Sequence, residues 1–238
     1  MRWIVGLQPV REAIRAHGKN LGRVLVERCE SPQLDAVARF ATDQGATVER
    51  VSRAELEKIS AGAKHQGAAV QAEELVILSL EDLKTDETSV IVTLDEIQDT
   101  QNFGAIIRSA VAFGATAVMW PEHGSAPLTS ATFRASAGAV EHATLVRVGG
   151  LPAALTALKA RGITPIGLDP QGDHDIDKVD LTKGVALVIG AEGKGLRKSV
   201  KSACDFLVRL PMTNRLGSLN ASVSAAIALY ETARQRRA

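Results

Sequence analysis

The chain has 238 residues, of which 45% are hydrophobic and 23% are charged, and its formal net charge is +1. This composition is typical of a globular protein and excludes a disordered or fibrous chain. Aromatic residues make up only 3%, so the core must rest on aliphatic side chains. The small net charge lacks the basic excess usual in nucleic-acid-binding domains, although local basic patches are compatible with it.

Cysteine usage and hydropathy restrict the class of protein further. Cys29 and Cys204 belong to no CxxC or Cys/His pattern, so we expect neither a zinc site nor a disulfide framework. The chain shows no signal-peptide pattern and no apolar run long enough to span a bilayer. We therefore expect a cytoplasmic protein without a metal or a membrane partner. The acidic run at 173–177 fits no calcium loop and is interpreted as a solvated connection.

Residues 1–74 predict a small α/β domain. Its strands are expected at 24–27, 47–51 and 66–71, and its helices at 9–17, 31–41 and 55–59. Ser31 suits the N-cap of the second helix and Pro32 its first position. Residues 75–88 are rich in acidic side chains and are interpreted as a solvated linker, with a surface helix of a single domain as the alternative. His65 and His142 are interpreted as structural or surface residues.

Residues 89–238 predict a mostly parallel sheet flanked by helices. Apolar strands are expected at 90–94, 117–120, 144–148, 164–167, 185–189 and 206–210, and helices at 103–113, 151–159 and the C-terminal stretch. The nearly continuous hydrophobicity of these strands is typical of strands that are buried on both faces. The alternation of strands and helices favours an α/β layer architecture.

Three loops of this second region carry chemistry. In the first, Asn102 suits the N-cap of a helix, and Arg108 follows close to the carboxyl end of a strand, where α/β proteins bind ligands. A solvated helix arginine is the simpler interpretation of Arg108 taken alone.

The second loop follows strand 185–189 and contains three glycines, Gly190, Gly193 and Gly195. Their spacing fits neither a P-loop nor a G-x-G-x-x-G motif. A generic strand-to-helix turn explains the glycines, but such a turn gains nothing obvious from the carboxylate of Glu192.

The third loop runs from Leu210-Pro211-Met212 to a helix start that is rich in serine and asparagine. A capped helix is the simpler interpretation. However, Ser218, Asn220, Ser222 and Ser224 supply more hydroxyl and amide groups than one cap requires.

The three loops together resemble the signature motifs of the SpoU/TrmH family of RNA 2′-O-ribose methyltransferases, in the SPOUT superfamily. The matching motifs are Asn102-x-Gly104-x-x-x-Arg108, Ile189-Gly190-x-Glu192-Gly193-x-Gly195, and Leu210-Pro211-Met212 followed by Ser218-Leu219-Asn220-x-Ser222-Val223. Each motif is weak alone, but their order and separation are specific. The first domain is similar, less specifically, to the substrate-binding domain of many members. The subgroup most resembled methylates a guanosine ribose of large-subunit ribosomal RNA.

The resemblance implies a trefoil-knotted domain, a homodimer with its active site at the interface, RNA as partner and S-adenosylmethionine as cofactor. It assigns catalysis to Arg108, Asn102, Glu192, Ser218 and Asn220. It assigns cofactor binding to Ile189, Gly190, Glu192, Gly195, Leu210, Met212, Ser218 and Leu219. Because a guanidinium rarely loses its proton, we expect Arg108 to stabilise the developing alkoxide, with Glu192 holding Arg108 or a neighbouring hydroxyl.

Two positions depart from the family pattern. Asn214 replaces the usual Gly, and asparagine can adopt the left-handed backbone conformation that glycine allows. Gln101 stands where Pro or His is frequent.

A transfer-RNA methyltransferase of the same family and a non-catalytic RNA-binding or ribosome-assembly protein are alternative functions. A nucleotide-dependent oxidoreductase is suggested only by the α/β alternation and lacks both phosphate-loop patterns.

Overall fold

The computed structural model describes residues 1–213 and 217–237, apart from the side chain of Ser130, and the chain forms two compact units. The first unit comprises Met1–Val76 and Ala137–His142, and the second comprises Ile77–Ser136 and Ala143–Ala238. In the described ranges, no helix is both long and apolar enough to cross a membrane.

The first unit is a four-stranded sheet with three helices in its described part. Its elements are β1 (Arg2–Val5), α1 (Leu7–His17), β2 (Val24–Glu27), α2 (Pro32–Asp43), β3 (Val48–Val51), α3 (Arg53–Ser60) and β4 (Ala68–Ala72). The strand order is β1-β4-β2-β3, with only the β2–β3 pair parallel. The three predicted strands and helices are confirmed, and Ser31 caps α2 through the Leu34 amide. The sequence interpretation missed β1.

Residues 137–142 return to the first unit in the middle of the chain. They contain a short 3-10 helix, Ala139–His142. Glu141 is 1% exposed and receives two guanidinium hydrogen bonds from Arg2, at 2.9 and 2.6 Å. The Nε2 atom of His17 lies 2.9 Å from the same carboxylate. A buried ion pair therefore fixes this excursion.

The second unit contains an eight-stranded sheet in its described part, and every strand pair in it is parallel. The strands are β5 (Ile77–Leu78), β6 (Val90–Asp95), β7 (Ala117–Pro121), β8 (Leu145–Val148), β9 (Thr164–Leu168), β10 (His174–Asp175), β11 (Val185–Gly190) and β12 (Phe206–Arg209). Their order is β10-β12-β9-β11-β6-β7-β8-β5. The predicted parallel sheet is confirmed.

Five helices flank this sheet in the described residues. They are α4 (Thr100–Ala112), α5 (Ser130–Ala135), α6 (Leu151–Ala160), α7 (Lys198–Ala203) and α8 (Ala221–Gln235). All six residues of β6 are buried, as are five of the six in β11, because helices cover both faces of a parallel sheet. The trefoil knot stays a prediction.

The segment 75–88 is not the solvated linker that its acidic composition suggested. Ile77 and Leu78 add strand β5 to the edge of the sheet, paired with β8. Leu80 and Leu83 are 6% and 5% exposed and pack in the core of the second unit. Burial of Leu80 and Leu83, with Ile77 and Leu78 partly buried, ties this segment to the second unit, while its acidic side chains can stay in solvent.

Candidate active site

The carboxyl ends of β6 and β11 bring the first two loops together. These strands are parallel neighbours, and their register places Gly190 opposite Asp95. The loops that follow them therefore leave the sheet side by side, at the edge where parallel α/β proteins bind ligands. The glycines of the second loop permit a close approach, because a Cβ on Gly190 would lie 2.3 Å from the carbonyl carbon of Gly195.

A polar network joins all three loops. The side-chain amide of Asn220 donates to Asn102 Oδ1 at 2.9 Å and to Glu192 Oε1 at 3.2 Å. The amide of Asn102 donates to Glu192 Oε2 at 3.4 Å. Asn102 is only 6% exposed, whereas Glu192 is exposed. Three residues separated by up to 118 positions along the chain thus share one site.

Asn102 is not the N-cap of its helix, contrary to the sequence interpretation. Helix α4 begins at Thr100, and the Asp99 carboxylate accepts hydrogen bonds from the Gln101 and Asn102 amides at 3.0 and 3.3 Å. This leaves the Asn102 side chain available for the network. Asn220 does cap its helix, because its Oδ1 accepts from the Ser222 and Val223 amides.

A cavity of 510 Å³ opens beside this network. All eight residues predicted to bind cofactor line it: Ile189, Gly190, Glu192, Gly195, Leu210, Met212, Ser218 and Leu219. Asn214 lies outside the described residues, so its effect on the cavity stays a prediction.

One wall of this cavity was not predicted from the sequence. Leu168 at the end of β9, residues 169–171 after it, and Lys201 on α7 also line the cavity. Asp169 is 8% exposed, pairs with Lys201 and accepts the Gln171 amide at 2.8 Å. Burial acts to raise the pKa of the Asp169 carboxyl, but the hydrogen bonds from Lys201 and Gln171 outweigh it, and the pKa lies below its ordinary value.

A smaller cavity of 200 Å³ adjoins the network on the side of the first loop. It is lined by residues 96–99 together with Asn102, Ala191, Glu192 and Lys194. Glu192 lines both cavities, so its carboxylate stands between them.

Arg197 anchors the glycine-rich loop to β6. Asp95 is completely buried and accepts hydrogen bonds from the Arg197 backbone amide at 2.8 Å and from its Nε at 2.7 Å. A second guanidinium nitrogen lies 2.7 Å from the same carboxylate. Local sequence does not predict this pair, because the two residues are 102 positions apart.

Arg108 lies apart from both cavities in the single chain. It is exposed on α4, lines neither cavity, and has no hydrogen bond or ion pair to any described residue. Glu192 therefore does not hold Arg108 within one chain, and its oxygens accept from two asparagines instead.

Arg108 borders an exposed apolar surface formed by α4 and α8. Ala105, one turn before Arg108, lines a shallow groove with Ser109 and Phe113 of α4 and with Val223, Ala226, Ile227 and Tyr230 of α8. Val223, Ile227 and Tyr230 are 45%, 39% and 56% exposed. Exposed apolar side chains from both helices therefore lie next to one another on this surface.

The larger cavity fits S-adenosylmethionine. Its volume of 510 Å³ lies within the range of roughly 300–1,000 Å³ that small-molecule sites occupy. Leu168, Ile189 and Leu210 supply apolar walls for an adenine ring, and the Glu192 carboxylate suits a cationic sulfonium.

Two family models match the chain. That of the SpoU rRNA Methylase family matches residues 89–230, and that for RNA 2′-O ribose methyltransferase substrate binding matches residues 3–76. The putative TrmH family tRNA/rRNA methyltransferase YacO of Bacillus subtilis is 36% identical over 98% of this chain and 96% of its own.

Solved structures are similar over the whole chain. The SpoU methyltransferase AviRb of Streptomyces viridochromogenes, crystallised with AdoMet, has a TM-score of 0.78 at 27% identity, covering 99% of this chain and 90% of its own. A structure described as an RNA 2′-O ribose methyltransferase has a TM-score of 0.80 at 29% identity, covering 99% and 89%. Because a catalytic family model matches more than half of the chain and a relative matches nearly all of it, the chain belongs to the SpoU rRNA methylase family and is an S-adenosylmethionine-dependent RNA methyltransferase.

Proposed function

We propose that this enzyme methylates the ribose 2′-oxygen of a guanosine in large-subunit ribosomal RNA. The observation that carries the proposal is the Asn102–Glu192–Asn220 network, which stands between two adjacent cavities. The larger cavity would hold the cofactor, and the smaller would receive the target nucleotide. The match of the first unit to a family model for 2′-O ribose methyltransferase substrate binding supports a ribose target.

Bound S-adenosylmethionine supplies an electrophilic methyl group. Glu192 orients the Asn102 and Asn220 amides, and this network positions the attacking ribose hydroxyl at the border of the two cavities. Ser218, which lines the larger cavity, contributes a hydroxyl on the cofactor side. The 2′-oxygen forms its bond to the methyl carbon while the carbon–sulfur bond breaks, and the hydroxyl proton passes to water. Holding these groups in line accounts for much of the rate enhancement.

Arg108 stabilises the negative charge that develops on the 2′-oxygen. Because this side chain lies apart from both cavities in one chain, we place it in the active site of a second protomer. The α4–α8 surface is the proposed homodimer interface. Its exposed apolar side chains are the surface that dimerisation would bury. Arg108 follows Ala105 by three residues on the same helix, so we expect it at the edge of this interface.

Labelled S-adenosylmethionine and three separate RNA pools test the substrate. The purified full chain is incubated with unmodified large-subunit rRNA, small-subunit rRNA and transfer RNA transcripts. We expect label in the large-subunit RNA, at a guanosine whose 3′ phosphodiester resists alkaline cleavage. Label in transfer RNA would favour the other substrate class of the family, and label on a base would refute ribose methylation.

Arg108→Ala tests the role assigned to this arginine. We expect Arg108→Ala to lower kcat by about 100-fold, as loss of an oxyanion-stabilising donor does, while cofactor affinity is retained. Arg147→Ala removes an exposed arginine of the same unit that lies on β8 and is the control. Near-normal turnover of Arg108→Ala would refute its role. A chain that binds RNA but neither binds cofactor nor transfers methyl would be a non-catalytic RNA-binding protein.

Ile227→Glu tests the dimer. We expect it to shift the protein from dimer to monomer in sedimentation velocity and to abolish methyl transfer, because each site would lose the second Arg108. A monomeric but fully active variant would contradict the shared site.

A further inference from the structure

The first unit contains a cavity of its own, with a volume of 450 Å³. Three parts of the unit surround it: the carboxyl end of β2, helix α3, and the loop at 62–67. We call it the α3 cavity. The mechanism proposed above uses none of its residues.

His65 presents an unused hydrogen-bond donor in the α3 cavity. The residue is only 8% exposed, and its Nδ1 accepts the backbone N–H of Gly67 at 3.0 Å. This contact fixes the neutral tautomer that carries its proton on Nε2. The Nε2 atom has no partner among the described residues and is not sealed from solvent, so its N–H can reach a ligand in the cavity that His65 lines.

Glu27 supplies an acceptor on the same cavity. This residue ends β2 and is half-buried, and its carboxylate has no hydrogen-bond or ion-pair partner among the described residues. One carboxylate oxygen lies 3.2 Å from the position that a Cβ on Gly67 would take. Donor and acceptor therefore flank the same glycine.

The cavity wall carries no net positive charge that would favour an anion. Glu27 and Glu57 balance Arg53 and Lys64, and Arg53 is already paired with Glu57 at 3.1 Å. With Arg53 and Glu57 paired, a phosphate would meet the unpaired Glu27 carboxylate beside a single lysine, Lys64. A neutral planar group with both donors and acceptors suits this wall better.

The loop that carries His65 is held in a demanding conformation. Gln66 has a φ of +52°, which is uncommon for a residue with a side chain. Its Oε1 accepts the Leu7 backbone N–H at 3.3 Å, which ties the loop to the start of α1. Strained backbone of this kind persists where the surrounding structure requires it, often at ligand sites.

We propose that the α3 cavity binds an unpaired guanine of the RNA substrate. The two oxygens of Glu27 accept from N1–H and the N2 amino group of guanine, which among the four bases is the one with two adjacent donors on this edge. His65 Nε2–H donates to an acceptor of the same base. Sequence-specific recognition of RNA commonly uses such bases that have left the stack. This assignment rests on the proposed function, since it adds a second RNA contact remote in sequence from the catalytic motifs.

Binding of short labelled RNAs to the full-length protein tests the proposal without methyl transfer. The probes are a uridine-only RNA and three otherwise identical RNAs with one central guanosine, adenosine or cytidine. Fluorescence anisotropy is measured at one fixed ionic strength, because phosphate contacts make affinity depend on salt. We expect the guanosine RNA to bind roughly tenfold more tightly than the others, as a good bidentate base contact would give.

Paired substitutions attribute that preference to the cavity. Glu27→Gln keeps the size of the side chain and removes the carboxylate, and Glu30→Gln is its matched control, because Glu30 is exposed and does not line the cavity. His65→Asn keeps an acceptor near the Nδ1 position and loses the Nε2 donor, whereas His65→Gln keeps a donor near Nε2. We expect Glu27→Gln and His65→Asn to abolish the guanosine preference, and Glu30→Gln and His65→Gln to retain most of it.

The outcomes separate this proposal from the proposed function. If Glu27→Gln and His65→Asn both fold, by circular dichroism, and still prefer guanosine RNA, the cavity is not the site. Absence of any guanosine preference in the wild type also overturns the proposal. Neither result affects ribose methylation, which the labelling assay measures separately, and loss of methyl transfer with an intact preference would leave the guanine site standing.

Discussion

Asp95→Asn tests whether the contact with Arg197 fixes the glycine-rich loop of the active site. Asp95 is fully buried, and its carboxylate accepts from the Arg197 amide and from two guanidinium nitrogens at 2.7–2.8 Å. Asparagine has a similar volume but one acceptor oxygen and no charge. At least one N–H of Arg197 must then lose its acceptor and face an amide N–H₂ group.

The cost follows from how much of the pair is buried. Breaking a fully buried ion pair costs about 3–5 kcal/mol. Arg197 is 40% exposed, so water can solvate part of its charge, and we expect a loss of about 2–3 kcal/mol in the free energy of unfolding. With a denaturant slope of about 2–3 kcal/mol/M, the urea midpoint should fall by roughly 1 M. Cofactor affinity should fall too, because the loop lines the larger cavity.

Tryptophan fluorescence can report each unit separately. Trp3 lies in the first unit and Trp120 in the second, so a Trp3→Phe background leaves Trp120 as the probe of the unit that holds Asp95. The control is Asp205→Asn, which breaks the exposed pair with Lys159 and should cost less than about 1 kcal/mol. If Asp95→Asn unfolds at the same urea concentration as this control, the pair does not fix the loop.

Three further predictions concern stability and reactivity. Gly104→Ala should lower the free energy of unfolding by about 1–3 kcal/mol, because its Cβ would lie 2.5 Å from atoms of α5. The control is Gly149→Ala, whose Cβ would meet no atom within 4 Å. The pKa of the Asp169 carboxyl is lowered in the folded state. The contribution of this carboxylate to the free energy of unfolding is therefore complete above the unfolded pKa of about 3.9, and it is lost as the pH falls through the folded value. The free energy of unfolding of Asp169→Asn, measured against pH, should therefore fall less steeply at acidic pH than that of the wild type. Burial raises the pKa of the Cys204 thiol to about 12. A thiol reagent at neutral pH should therefore modify exposed Cys29 rapidly and Cys204 only on unfolding. Equal modification rates of the two cysteines would contradict this.

The lining of the larger cavity shows which parts of the site could be predicted from the sequence and which could not. The family resemblance assigned Ile189, Gly190, Leu210 and Leu219 to one cofactor site, and all four line the larger cavity. The wall at 168–171 could not be predicted, because β9 lies beside β11 only through a strand order that hydrophobic periodicity does not encode.

The start of α4 shows a second limit. Asp99 and Asn102 are both good N-cap residues, and local sequence does not choose between them. The choice is made by tertiary contacts, since the Asn102 side chain is taken by Glu192 and Asn220, which lie 90 and 118 residues away. Composition likewise hid β5, because the acidic residues of 75–88 suggested a solvated linker, while Ile77 and Leu78 are partly buried in the sheet.

The excursion at 137–142 bears on how this enzyme could be re-engineered or could have evolved. Gly138 packs so closely on α1 that a Cβ would lie 2.8 Å from Pro9 and Glu12, and Glu141 is 1% exposed within the same unit. The first unit is therefore discontinuous in the sequence. A chimaera that exchanges residues 1–76 alone would receive the first unit without its segment 137–142. A functional exchange must therefore transfer both segments together.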